Sequence, residues 1–555
     1  MSDRTFATHQ IRRAVPAPTL WDFAALDTDA PVPARLPVPS AWELVPALHN
    51  YRGRAHYTTR IRCGGNIRLS FGGVSFRARV LLDGNEIAQH YGAFTAFETV
   101  VRHLPDGEHA LTVEVDNRFG EDSALHVPND YYSYGGITRP VVIEQLPDVF
   151  VERVGITTKR AADGWTADIS ATIRNLADED ASADVTLTLA GQTFTQTAHI
   201  PADSTAIIRI PDAHYADVTA WTPDTPALYA LRAEIREGNQ VLDDLIDRVG
   251  FREISISGMD LLLNGEKLRL MGFNRHEEYG AFGCAVPLQA MAQDILMMKD
   301  MGCNCVRTCH YSNDPRFLDL CDEMGLLVWE EAHARGLQEE QMRNPNFMPQ
   351  TRQCVREMVA QHRNHPSIFI WGCLNECADN CDYGADCYRE VYALLHDLDA
   401  SRPMTAALLE RPGSLVYGDS DVVSVNIYPQ WYHNTPVAES LAQKLKEIRE
   451  HGGAGKPVII SEIGAGGIYG YHDPLGESKW SEERQCTILC DQVEAVLKNP
   501  ACSGVFLWQF ADCRVTEEWA MHRPKTHNNK GVVDEYRRPK MSYAVVKELF
   551  QKQKG

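Results

Sequence analysis

The chain has 555 residues, 44% of them hydrophobic and 23% charged, with a formal net charge of −21. That length exceeds one ordinary hydrophobic core and requires several domains. The acidic balance argues against nucleic acid or an anionic membrane as the main partner, although a local basic pocket can still bind an anion. No run of about 18 apolar residues is present, so no membrane span is expected. The N-terminal stretch Met1–Arg13 lacks the apolar core of a secretion signal, and a cytoplasmic location is expected. The 15 cysteines are odd in number and scattered, which fits reduced thiols better than a disulfide framework.

Residues 1–148 read as an all-β sandwich. Short alternating runs, Ala55–Ile61, Ile67–Phe71 and Ala78–Leu82, are separated by turn signals at Gly64–Gly65 and Asp83–Gly84. The segment Asn129–Asp–Tyr–Tyr–Ser–Tyr–Gly–Gly136 is a loop rich in aromatics with one carboxylate, and periodicity alone makes it a packed surface loop. Residues 149–253 form a second all-β unit of immunoglobulin size, with clean alternation in Ala167–Ile173 and Val185–Leu189. Trp221–Thr–Pro–Asp–Thr–Pro226 marks a rigid loop before its last hairpin.

From residue 254 to 555 strands alternate with helices. The expected strands are Leu268–Phe273, Cys303–Thr308, Leu326–Glu331, Ile368–Glu376, Met404–Leu408, Val422–Tyr428, Pro457–Ile463 and Gly504–Phe510. Helices such as Pro287–Met301 and Asp314–Met324 fit between them. Eight such units over this length match a (β/α)₈ barrel, in which chemistry sits at the C-terminal ends of the strands. Those ends are polar here: Asn274–Arg–His–Glu277, Arg307–Thr–Cys–His310, Glu330–Glu331, Asn375–Glu376, Asn426–Ile–Tyr428, Ser461–Glu462 and Trp508.

Two glutamates at strand ends point to a retaining glycosidase. One carboxylic acid protonates the leaving oxygen, and a second carboxylate about 5–5.5 Å away attacks the anomeric carbon. The fourth and seventh strands lie across a barrel from each other, so Glu376 and Glu462 can face each other over a sugar. Asn375 is placed to hydrogen-bond the sugar 2-hydroxyl. The cysteine runs Cys303-x-Cys305-x₃-Cys309–His310 and Cys373-x₃-Cys377-x₃-Cys381 lack the paired spacing of a zinc site, and neither a metal nor a cofactor is expected. A nucleotide loop and a serine-hydrolase elbow are absent from the sequence.

Asn375–Glu376 after an apolar strand, Ser461–Glu462 after another, and Asn274–Arg–His–Glu277 resemble glycoside hydrolase family 2. The resemblance covers the whole chain and implies a jelly-roll sandwich, an Ig-like sandwich and a catalytic barrel. It also implies Glu376 as general acid/base, Glu462 as nucleophile, and Arg307, His310, Asn375, Tyr428 and Trp508 lining the site. Within that family the chain is similar to the bacterial β-glucuronidases. His527–Asn528–Asn529–Lys530–Gly531 resembles their Asn-x-Lys motif, which grips the sugar C6 carboxylate; an ammonium and an amide can give it charge-assisted hydrogen bonds. The same resemblance brings Asp130 to the sugar hydroxyls and makes Asn426, Tyr428, Trp431 and Tyr432 an aromatic-rich wall. It implies a homodimer or homotetramer acting on a small uronide or an oligosaccharide.

There are departures from the glucuronidase pattern. Arg335, in Glu331–Ala–His–Ala–Arg335–Gly336, stands where those enzymes have a small apolar residue. Pro524, flanked by Arg523 and Lys525, replaces an arginine four residues before the Asn. Both bear on the 4-hydroxyl, whose direction alone separates glucuronate from galacturonate. The short segment Leu337–Pro349 leaves an open mouth. The expectation is a retaining exo-β-hexuronidase for glucuronides or galacturonides. A β-galactosidase-like enzyme and a binding protein on an inactive scaffold are the alternatives.

Overall fold

Alternation of buried and exposed residues persists through the N-terminal domain, and the computed structural model, which describes residues 4–553, turns it into a jelly-roll sandwich. Its spine is an antiparallel pair of long strands, Arg54–Phe71 and Phe97–Asp116. The turn expected at Gly64–Gly65 is absent. The strand runs through it, with register shifts between Cys63 and Gly65 and between Gly65 and Ile67. A glycine at φ +67° lets a strand bulge and bend without reversing. Asp83 (φ +50°) and Gly84 (φ +82°) do make a tight turn, between strands Arg77–Leu82 and Asn85–Tyr91. Trp21, Trp42, Tyr57 and Leu69 fill the core between the layers.

The Ig-like domain packs a three-stranded against a four-stranded sheet around Ile169, Val185, Leu187 and Leu231. The Trp221–Pro226 segment, expected as a rigid loop, is also a joint to the barrel. Trp221 is fully buried, and its Nε1 donates to Asp322 O of the barrel at 2.9 Å. The N-terminal segment is a second tie. Arg4 pairs with Asp319 of the barrel at 2.6 Å, and Arg12 with Asp243 of the Ig-like domain at 2.7 Å.

The barrel strands are Leu270–Asn274, Cys305–Arg307, Leu327–Glu331, Ile368–Gly372, a broken fifth, Val423–Asn426, Val458–Ile463 and Gly504–Leu507, all parallel. The fifth consists of Met404–Thr405, which pairs with the fourth, and Ala407–Leu408, which pairs with the sixth. This break is why it carries so little sequence signal. The ring closes through its two halves. The fourth strand ends earlier than its apolar run implies, at Gly372. Leu374 (φ +49°) and Glu376 (φ +51°) then adopt left-handed conformations that bend the chain over the barrel mouth.

The jelly roll docks on that mouth. Arg139 donates to Glu277 Oε1 at 3.1 Å, to Phe94 O at 2.7 Å and to Ser312 O at 2.8 Å. The aromatic loop from Asn129 to Gly136 is thereby buried between the two domains and is no surface loop: Asp130, Tyr131, Tyr132 and Tyr134 are all covered.

Candidate active site

Arg307 organises the barrel mouth. Its guanidinium donates to both oxygens of Glu331 (2.6 and 3.0 Å), to Asn274 Oδ1 (2.7 Å), to Asn375 Oδ1 (2.7 Å) and to Glu462 Oε1 (2.8 Å). Four strand ends are thus tied to one fully buried cation on a fifth. Its charge is compensated by two carboxylates, as burial of a guanidinium requires.

Glu462 ends the seventh strand. Its Oε1 accepts from Arg307, and its Oε2 accepts from the Tyr428 hydroxyl at 2.7 Å. Burial, and then the neighbouring Glu376 charge, push the Glu462 carboxyl up to about 7, against the opposing pull of Arg307 and Tyr428. Burial raises the Tyr428 phenol well above its ordinary value, so it stays a donor. Glu376 accepts from Asn426 Nδ2 at 2.9 Å through Oε1, and its Oε2 lies 3.3 Å from Arg335 Nη2. Asn426 is itself fixed by Ser461 Oγ, which donates to its Oδ1 at 2.7 Å.

His310 stacks on Trp508, centroids 5.0 Å apart. Its Nδ1 faces Arg307 Nη2 at 3.2 Å and must accept there, so Nε2 carries the proton. That Nε2 is buried and has no partner among the described residues. Burial, and then Arg307, lower the imidazole well below its ordinary value, which keeps it neutral.

A second cluster assembles beside this pair. Asp130 receives Asn528 Nδ2 and Arg523 Nη2, each at 3.1 Å on Oδ2, and Arg335 Nη2 at 3.2 Å from Oδ1. Burial pushes its carboxyl up, but Arg335, Arg523 and Lys530 outweigh that and hold it well below the usual carboxylate range. Arg335 also donates to Asn129 Oδ1 at 3.0 Å. It is neither solvated nor remote: it bridges the jelly-roll loop and Glu376. Lys530 is buried, donates to Asn528 Oδ1 at 3.4 Å, and faces the rings of Tyr428, Trp431 and Tyr432 at 5.3–5.9 Å. Trp431 packs edge-on against Trp480, which holds this wall upright.

All of Asp130, His310, Arg335, Glu376, Asn375, Asn426, Tyr428, Trp431, Tyr432, Glu462, Trp508, Asn528 and Lys530 therefore converge on one mouth. Some of the polar strand ends do not. Arg275 pairs with Asp294 at 2.8 Å, Glu277 with Arg139, and Glu330 with His362 at 2.7 Å, all within the scaffold. Sequence reasoning missed Arg523 as a site residue. Its side chain turns inward because Lys525 (φ +58°) and Thr526 (φ +59°) fold the following segment back. An arginine next to the vacated position before Asn528 was the available signal.

Among the described residues, His276, Cys309 and His310 offer ligand atoms within 4.8 Å of one another. The Arg307 guanidinium against His310 opposes a cation there.

The family model for the TIM-barrel domain of glycosyl hydrolases family 2 matches residues 254–554, and a second model of family 2 matches residues 149–252. A family 2 β-galacturonidase structure from Eisenbergiella tayi, bound to galacturonate, is 46% identical with a TM-score of 0.97 and covers 99% of each chain. A β-glucuronidase from Streptococcus agalactiae is 28% identical over 526 residues, covering 87% of this chain and 84% of its own. A relative from Formosa agariphila is 29% identical over 532 residues; the match takes in 88% of this chain, which spans only 62% of that relative's length. With the barrel model alone matching over half of its length, the chain belongs to the glycosyl hydrolases of family 2.

Proposed function

We propose that the protein is a retaining exo-β-D-hexuronidase that removes a terminal uronic acid and prefers β-galacturonides to β-glucuronides. The observation that carries the uronide reading is Lys530. It is a buried ammonium that donates to Asn528 Oδ1 at 3.4 Å and lies beside the Tyr432 phenol, and among the described residues no carboxylate comes within salt-bridge distance of it. A buried cation whose nearest carboxylate, Asp130, is already shared by two arginines is costly unless the ligand brings further negative charge. A C6 carboxylate does so, and a neutral hexose does not. Arg335 and Arg523 add positive potential at this spot on an otherwise acidic molecule.

In the proposed reaction a Glu462 carboxylate oxygen attacks the anomeric carbon. The bond to the leaving oxygen breaks as Glu376 delivers its proton there. A glycosyl ester on Glu462 results. Glu376, now a base, takes a proton from water as that water attacks the same carbon, which releases the uronic acid and restores both glutamates. The His310 Nε2–H and the Asp130 carboxylate, both buried, are available to the sugar hydroxyls. Support for the galacturonide preference comes from Arg335, held beside both Asp130 and Glu376, and from the likeness to the Eisenbergiella tayi enzyme.

The test is a side-by-side assay of p-nitrophenyl β-galacturonide, β-glucuronide and β-galactoside, with the first-formed anomer read by proton NMR. Turnover of the uronides with retention is expected. Faster turnover of the galactoside, or inversion, contradicts the reading.

A further inference from the structure

Apart from Arg523, the rim outside the sugar pocket, residues 516–526, is left unused by the proposed chemistry. It is firmly anchored. The Thr516 hydroxyl donates to Asn129 O at 2.9 Å, and Trp519 Nε1 donates to Pro128 O at 3.4 Å. Both bonds clamp the rim to the loop that carries Asp130. Trp519 is half-buried, with the Arg335 guanidinium 6.0 Å and the Arg523 guanidinium 5.4 Å from its ring. Both guanidinium groups end on Asp130, so the indole stands one side chain away from the sugar pocket.

Next to it, Met521 is 91% exposed, and Tyr432 is 55% exposed with its hydroxyl 3.4 Å from Arg523 Nη2. None of these three side chains contributes to a hydrophobic core cluster. No lid covers them from the other side of the mouth through the Leu337–Pro349 segment. Leu337, Met342 and Phe347 are fully buried, which draws that segment down onto the barrel.

We infer that this shelf is the aglycone subsite and that Trp519 carries a second sugar ring there, so that the natural substrate is a uronic acid β-linked to another sugar. The inference rests on the uronidase reading. Arg335 contacts Glu376, the group that protonates the leaving oxygen, and also neighbours Trp519, so a ring attached through that oxygen emerges beside the indole. A pyranose presents a face of C–H bonds, which suits an aromatic surface, and a girdle of hydroxyls, which suits the Arg523 guanidinium and the imidazole of His522, edge-on to the Trp519 ring at 6.5 Å.

The experiment compares wild type, Trp519→Ala, Trp519→Phe and Met521→Ala on two substrates with the same glycone: methyl β-galacturonide and a β-galacturonosyl disaccharide. Trp519→Ala is expected to lose about 10-fold in kcat/KM on the disaccharide, mostly through KM, and less than about twofold on the methyl glycoside. Trp519→Phe should recover most of that loss. Met521→Ala, at an exposed position, should cost about two- to threefold on the disaccharide alone. Equal losses on both substrates would show that Trp519 only supports the arginines, and no loss on the disaccharide would remove the subsite; either overturns the inference. Wild-type turnover of the methyl uronide tests the uronidase reading separately, because that substrate has no second ring.

Discussion

The two halves of the active site are built differently. The carboxylate pair and its Arg307 hub stand on or just beyond barrel strands, so their positions follow from the parallel hydrogen-bond ladder. The charged cluster of Asp130, Arg335, Arg523, Asn528 and Lys530 comes from segments of two domains outside the barrel ladder, and ion pairs tie it together. On the proposed function, the difference would make bond cleavage depend on the scaffold and sugar choice on residues outside the barrel ladder, which can change without disturbing it. Substitutions in the two halves should accordingly give different kinetic signatures.

Removing the carboxylate from the strand-borne half has the largest expected effect. Glu462→Ala should lower kcat by about 10⁴-fold or more on every substrate, because no covalent intermediate can form. Glu376→Gln should cost about 10²- to 10⁴-fold on alkyl uronides but much less on p-nitrophenyl uronides, whose leaving group needs little protonation. If both glutamate variants depress all substrates equally and glycosyl-enzyme never accumulates, the assigned roles are wrong.

In the half outside the ladder, Lys530→Ala should cost about 100-fold in kcat/KM on uronides, roughly 3 kcal/mol for a charge-assisted hydrogen bond. The same change should raise activity on the neutral galactoside relative to the uronide. Arg335→Ala should shift the galacturonide-to-glucuronide ratio by about 10-fold. An unchanged ratio would remove Arg335 from epimer selection.

The smallest effect tests the seam between the halves through pH. As the proposed nucleophile Glu462 must be ionised while Glu376 keeps its proton, and burial alone then holds its carboxyl above the ordinary value, so kcat/KM should fall on the acid side as Glu462 takes up a proton. Tyr428 donates to the ionised form and opposes that rise. Tyr428→Phe should therefore move the acid limb upward by less than about one pH unit. A limb that stays in place would mean that another group controls it.

The same contrast explains what was legible in the sequence. Glu462 ends a short apolar run bounded by polar residues, and Glu376 follows another closely, so burial pattern alone brought both to the mouth. The exact stop of the fourth strand was not legible, because Cys373 and Leu374 are as apolar as the strand but leave the ladder at Gly372. Gly64–Gly65 was misread because a glycine pair marks a bulge as readily as a turn. Arg523 was visible beside the vacated position, but its inward direction was not, because the segment after it holds two left-handed residues, Lys525 and Thr526, which are not the glycines that usually announce such a conformation. Arg335 was recognised as out of place, but its bridge from Asp130 to Glu376 needs the docked jelly roll. That bridge is a long-range fact that no local pattern encodes.

The docking of the jelly roll, with Arg139 on Glu277 and Asp130 among the barrel's cations, has a consequence for assembly during synthesis. The ribosome delivers the N-terminal domain first. Its carboxylate loop exists before any barrel strand does, and it waits for cations that arrive up to about 400 residues later, the separation between Asp130 and Lys530 in the chain. A barrel expressed by itself would carry both glutamates yet leave Arg335 and Arg523 without their shared partner. The Asp130 cluster is thus the last part of the candidate site to form, after every strand of the barrel is in place.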